Sequence, residues 1–128
     1  MTYYFSKTLA MPFDEAIEHT TEALKAKEFG VLTTIDVKET LKKKIDVDFR
    51  PYTILGACNP RFAHQALQKE SRIGTMLPCN VIVQQMDDGT VEVAAVDPLA
   101  SMQAVGNAEL AGIAAEVQAL LKDVIASL

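Results

Sequence analysis

Cys58 and Cys79 have the widest chemical repertoire of any residues in this chain, and each precedes an asparagine, in "ILGACNP" and "LPCNV". A thiolate is a nucleophile, a redox centre and a soft metal ligand. Asn59-Pro60 suits the N-cap and first position of a helix. Amide N–H groups and the positive helix end would favour a thiolate at Cys58, lowering its pKa below the free value of about 8.5. The competing reading is packing, because free cysteine is among the most buried residue types. Two cysteines without C-x-x-C spacing form neither a disulfide framework nor a four-ligand zinc pattern. Cys58, Asn59, Cys79 and Asn80 are therefore the candidates for holding a metal ion or a small ligand.

The histidines add little to this chemistry. Phe62, Ala63, Ala66 and Leu67 mark the expected buried stripe of the helix after Pro60, and His64 lies on its polar flank, turned away from Cys58. His19 lies beside Glu15 and Glu22 on a solvated helix face, where such groups seldom bind metal. Lys38, Lys42, Lys43, Lys44 and Arg50 form a basic cluster, with Lys42, Lys44 and Arg50 the candidates for a secondary anion site. Its plainer reading is a solvated helix face. There is no P-loop, G-x-G-x-x-G or G-x-S-x-G motif, and no catalytic base is recognisable.

The elements that must position these residues are legible from periodicity. "TYYFSKTL" alternates and reads as a first strand. Pro12 opens a helix with Phe13, Ala16, Ile17, Thr20 and Leu24 on one face, ended at Phe29-Gly30 by glycine. "VLTTIDV" is a second strand, and "VKETLKKKI" a short helix. "YTILGAC" is a third strand, so apolar that a central position is expected. The helix from Pro60 to about Lys69 follows. "SRIGTMLP" reads as a loop and "NVIVQQM" as a fourth strand. "DDGT" is a hairpin turn, "VEVAAVD" a fifth strand, and "LASMQAVG" a connection. Asn107 caps a final helix with a broad apolar stripe (Leu110, Ile113, Ala114, Val117, Leu120, Leu121, Val124, Leu128) and a back of small residues. That small-residue back is one surface on which a second copy could pack, and a homodimer is the expected assembly.

The totals set outer limits. The chain has 128 residues, the usual size of one domain, and is 49% hydrophobic and 23% charged. A net charge of −5 disfavours nucleic acid and anionic membranes, which attract positive fields. No apolar run approaches a membrane span, the first residues lack a signal-peptide pattern, and a cytoplasmic protein with reduced thiols is expected. The order of strands, helices and hairpin indicates an α+β fold with helices on an antiparallel or mostly antiparallel sheet.

Whether the two thiols meet depends on strand direction. A parallel crossover would place Cys58 and Cys79 at opposite ends of the sheet. In the antiparallel case "SRIGTMLP" must carry the chain back, and eight residues at about 3.3 Å each reach roughly 26 Å. Both thiols would then lie near the same end, where a carboxylate such as Asp36 or Asp97 could join them.

"GVLTTIDVKETLKKKI", "RPYTILGACNP", "AHQAL", "GTMLPCNVIV" and the later "VDP" together resemble the domain-of-unknown-function 302 family of bacteria and archaea, from about Gly30 to Pro98. Departures are small, at Arg61-Phe62 and at Gly74-Thr75-Met76. The resemblance implies a β-α-β(4)-α fold like that of the TATA-binding protein, with an antiparallel sheet, and so supports the antiparallel option. It implies no activity, and fold likeness to a DNA-binding protein does not carry function. Three functional readings stand: a small soluble protein binding a metal ion or small ligand at the two Cys-Asn motifs; a redox enzyme in which Cys58 reacts and Cys79 resolves; or a structural or interaction module with inert thiols.

Overall fold

The computed structural model describes residues 2–128. Five strands form one antiparallel sheet: β1 (Tyr4–Leu9), β2 (Gly30–Asp36), β3 (Tyr52–Cys58), β4 (Cys79–Gln85) and β5 (Val91–Val96), in the spatial order β1-β5-β4-β3-β2. The helices are α1 (Phe13–Ala26), α2 (Val37–Ile45), α3 (Pro60–Lys69), α4 (Pro98–Met102) and α5 (Ala111–Ser127). This is the α+β, β-α-β(4)-α arrangement implied above, with α2 and α3 inserted between strands. β3 is an interior strand, but β4 rather than β3 is the central one.

Burial follows the two-residue period of the strands. Leu9, Leu55, Ala57, Val81, Val83, Val91, Val93 and Ala95 turn to one face. There they form one core with Ala16 and Leu24 of α1 and Val117, Leu121, Val124 and Ile125 of α5. α1 joins β1 to β2, the two edge strands, so it spans the sheet and locks its margins to the middle. Lys7 lies on the helix-covered side of β1, where its Nζ donates to the carbonyls of Ala126 (3.1 Å) and Leu128 (3.3 Å). A cation at the negative end of α5 is favourable. α2 buries no residue, and its main contacts are with β2 and β3.

The end of α1 differs from the expected glycine stop. Glu28, not Gly30, takes the left-handed conformation, at φ 66°. Glu28 N–H donates to Lys25 O (3.0 Å) and Phe29 N–H to Leu24 O (2.9 Å). That pair of bonds is a Schellman closure, and its apolar contact partners Leu24 and Phe29 are both buried. Burying Phe29 decides where the helix ends, and Gly30 is left as the first residue of β2. The "LASMQAVG" connection is also more ordered than expected. It holds α4, whose N-terminus is capped by Asp97 through Leu99 N–H at 3.0 Å. A 3-10 turn at Ile73–Met76 lies inside "SRIGTMLP", and Asn107 caps another at Ala108–Leu110 that leads into α5.

An L-residue held in the left-handed region costs free energy that glycine does not incur. Glu28→Gly is expected to raise stability by about 0.5–1 kcal/mol, read by chemical denaturation. An unchanged or lower midpoint would show that the Glu28 conformation carries no strain.

Candidate functional site

β3 and β4 pair antiparallel with Ala57 opposite Cys79 and Gly56 opposite Asn80. The twenty residues between the two cysteines lead out along α3 and back through the 3-10 turn, so both thiols lie at the same end of the sheet. At Asn59 the chain turns into α3. Asn59 is buried, its Oδ1 accepts from Phe62 N–H at 3.5 Å, and Pro60 holds the first helical position.

The thiols open onto a pocket between the end of the sheet, α3 and α5, with a cavity of about 50 Å³. Cys58, Asn59 and Cys79 line it with a largely apolar wall that includes Phe62, Leu77 and Ile113. The volume exceeds what a single water needs. Leu77, Met102 and Ile113 come from the loop and from elements beyond Pro98, so spacing around the cysteines carries no sign of them.

Close packing fixes the β3–β4 edge of the pocket. Pro78 and Thr33 sit directly over Gly56; a Cβ there would meet the Thr33 hydroxyl and come within 2.8 Å of Pro78 Cγ. The rigid Pro78 ring therefore settles against glycine and sets the approach to Cys79. The Leu77–Pro78 peptide is cis.

Electrostatics favour the packing reading of the cysteines over an activated thiolate. Burial raises the Cys58 pKa above that of a free thiol. Burial, with a smaller contribution from Cys58 beside it, pushes Cys79 up to about 11. An apolar wall disfavours the charged form more than a helix N-terminus favours it here. Both groups are neutral thiols at pH 7.

The four predicted site residues are not one cluster. Cys58, Asn59 and Cys79 line the pocket, but Asn80 follows Cys79 in a strand and faces the opposite side of the sheet. Asp36 and Asp97 do not join the thiols: Asp36 caps α2 through Glu39 N–H, and Asp97 caps α4 and accepts from Gln118 Nε2. Leu67, expected on the buried stripe of α3, is 44% exposed. His64 and His19 are exposed, as the helix geometry indicated. Among the described residues no group of three or more His, Cys, Asp or Glu side chains comes together in a metal-holding arrangement.

The basic cluster does not converge either. Lys42 pairs with Asp46 (2.9 Å) and Asp48 (3.2 Å), and Lys43 with Glu39 (2.8 Å). Arg50 reaches away to Gln84, while Lys44 stays exposed. These side chains are solvated, so their ion pairs add little to stability.

Fold and pocket together define an α+β protein whose layered helices and sheet enclose a small thiol-lined pocket. The chain belongs to the family described as "Domain of unknown function DUF302", whose model matches residues 5–128. A similar solved structure is the "uncharacterized conserved protein DUF302 from Bacillus stearothermophilus", with 30% identity, a TM-score of 0.91 and 98% of each chain covered. No curated protein matches the sequence. No helix among the described residues is long and apolar enough to cross a membrane.

Two outcomes follow from this geometry. Well below the pKa of a free thiol, Cys79 is protonated in folded and unfolded chains alike, and its contribution is fully present. As pH rises towards about 11 the unfolded thiol ionises first, so stability is lost through that window. Wild type is expected to lose about 2–3 kcal/mol more than Cys79→Ala between these limits, by urea denaturation. Equal losses would place an ordinary thiol at Cys79. Separately, Gly56→Ala is expected to cost about 1–3 kcal/mol, because Pro78 cannot swing aside as a flexible side chain can; a neutral substitution would show that β4 has slack there.

Proposed function

We propose that the protein binds a small, mainly apolar ligand in the pocket at the β3–β4 end, against the thiols of Cys58 and Cys79. One observation carries the reading: two neutral thiols and Asn59 face a cavity with apolar walls. Such a lining suits an apolar body with a few placed polar contacts, and a cavity of about 50 Å³ limits that body to a few non-hydrogen atoms, far below drug size. Asn59 Oδ1 is engaged by the helix cap. Its amide nitrogen makes no hydrogen bond among the described residues, so it can donate to a ligand acceptor. Of the two ligand classes expected from sequence, a small molecule fits this lining better than a metal ion. Two protonated thiols must lose protons to ligate a metal, and burial opposes that charge.

The redox reading draws on a different observation. Cys58 lies near enough for its charge to oppose ionisation of Cys79. A reversible Cys58–Cys79 disulfide would express that proximity, yet the raised pKa values make both thiols slow to attack an external disulfide. A homodimer, with the small-residue back of α5 as one packing surface, is compatible with either reading.

The deciding experiment is a native mass spectrum of freshly purified protein beside an Ala63→Leu variant, which fills the pocket from α3. Wild type is expected to carry an extra small-molecule mass, and the variant to lose it. A bare wild-type chain whose thiols alkylate rapidly below pH 7 would replace the ligand reading with the redox one. A bare chain with slow thiols would leave the cysteines as packing.

A further inference from the structure

The sheet face opposite the helices carries a feature that the thiol pocket does not account for. Pairing registers align Ala94, Ile82, Ile54 and Ile35 in one row across four strands. An antiparallel sheet covered on one side ordinarily turns polar residues to water on the other. Here three isoleucines and an alanine occupy the middle of that open face.

Polar and aromatic groups flank this row. On one side stand Glu92, Gln84 and Tyr52, opposite one another in register. Arg50 Nε donates to Gln84 Oε1 at 2.9 Å, and Gln84 Nε2 donates to Glu92 Oε1 at 2.9 Å. On the other side stand Tyr4, Val96 and Asn80. Around Ala94 and Ile82, the flanking Glu92, Gln84, Tyr52, Tyr4, Val96 and Asn80 hollow a groove of about 430 Å³ that no helical residue lines. Small-molecule sites span about 300–1,000 Å³. The groove shares no lining residue with the thiol pocket.

All three tyrosines of the chain line this groove, although Tyr52 is nearly fifty positions from Tyr3 and Tyr4. Tyr3 and Tyr4 stack edge to face, with centroids 5.1 Å apart and planes at 71°. Tyr52 stands on β3 with the Arg50 guanidinium 5.5 Å from its ring centre.

We propose that this groove binds a flat, uncharged heteroaromatic molecule carrying an N–H donor. The floor is flat because Ala94 is small and 8% exposed, while aromatic rings provide the walls. A planar ring gains stacking and apolar contact in such a place. Neutrality follows from Arg50 and Glu92, which are joined through Gln84 and offset each other in a chain of net charge −5. The donor requirement follows from Glu92: Oε1 is taken by Gln84, whereas Oε2 has no partner among the described residues. Because Arg50 and Glu92 hold the Gln84 amide at both ends, its orientation is set before a ligand arrives. A second copy of this chain is a poorer occupant, since two concave faces laid together would enclose a void.

Benzimidazole is a suitable probe, being flat, neutral at pH 7.5 and an N–H donor. Titrated into ¹⁵N-labelled protein, it is expected to cause saturable amide shifts centred on Ile82, Gln84, Glu92 and Ala94. N-methylbenzimidazole, which lacks the donor, is expected to bind at least about fivefold more weakly. Ala94→Leu, which raises the groove floor at a position outside the helix-packed core, is expected to weaken benzimidazole at least about tenfold while preserving the dispersed spectrum. Several results would overturn the proposal: absent saturation up to about 10 mM, equal binding of the N-methyl probe, an unaffected Ala94→Leu variant, or shifts on this face that follow protein concentration and so report self-association. Shifts gathered at Cys58, Asn59 and Phe62 would overturn it while supporting the thiol pocket, so the two sites fail independently.

Discussion

The antiparallel pairing of β3 with β4 is the constraint on which the rest of this structure depends. It sets Ala57 against Cys79 and Gly56 against Asn80, and all other placements follow. One parity sends Leu55, Ala57, Val81 and Val83 into the core. The other sends Ile54, Ile82 and Gln84 to the open face. A slip of one residue would exchange the two sets and expose the core. Pro78 packed over Gly56 holds the two strands in step at the end where the thiols lie. Burial of aliphatic side chains drives the assembly, and the strand pairing decides which side chains are available to bury.

That constraint also separates two kinds of surface. Between sheet and helices the environment is apolar, which raises the pKa of Cys58 and Cys79 and favours their neutral forms. On the open face, charged and polar groups remain near solvent but are tied to one another, from Arg50 through Gln84 to Glu92. The first surface excludes charge by desolvation and the second cancels it by pairing.

Local elements were readable because local physics made them. Asn59-Pro60 starts α3, Asp-Gly makes the β4–β5 turn, and "VKETLKKKI" is α2 from Val37 to Ile45, since caps, turn dihedrals and helical spacing act within a few residues. The end of α1 was read differently because a distant demand prevailed. Phe29 must reach the core, so Glu28 accepts a conformation that glycine would take more readily. Of the two readings of Cys58, packing gains over an activated thiolate for a similar reason. The helix N-terminus is visible in the sequence, but Phe62 and the other apolar groups that bury the thiol arrive only on folding.

The sequence by itself determined the element types, the antiparallel class through its family likeness, and Cys58, Asn59 and Cys79 as neighbours worth examining. Hydrophobic period, turn chemistry and capping are encoded over short spans, so they survive without tertiary information. Tertiary structure alone decided that Asn80 faces away from the thiols, that Leu77, Met102 and Ile113 wall their pocket, and that the lysines pair locally instead of converging. It also brought Tyr3, just before β1, together with Tyr4 of β1 and Tyr52 of β3 around one groove. Strand register and helix docking join residues tens of positions apart. Their free energy comes from burying the whole core at once, so no short stretch of sequence carries them.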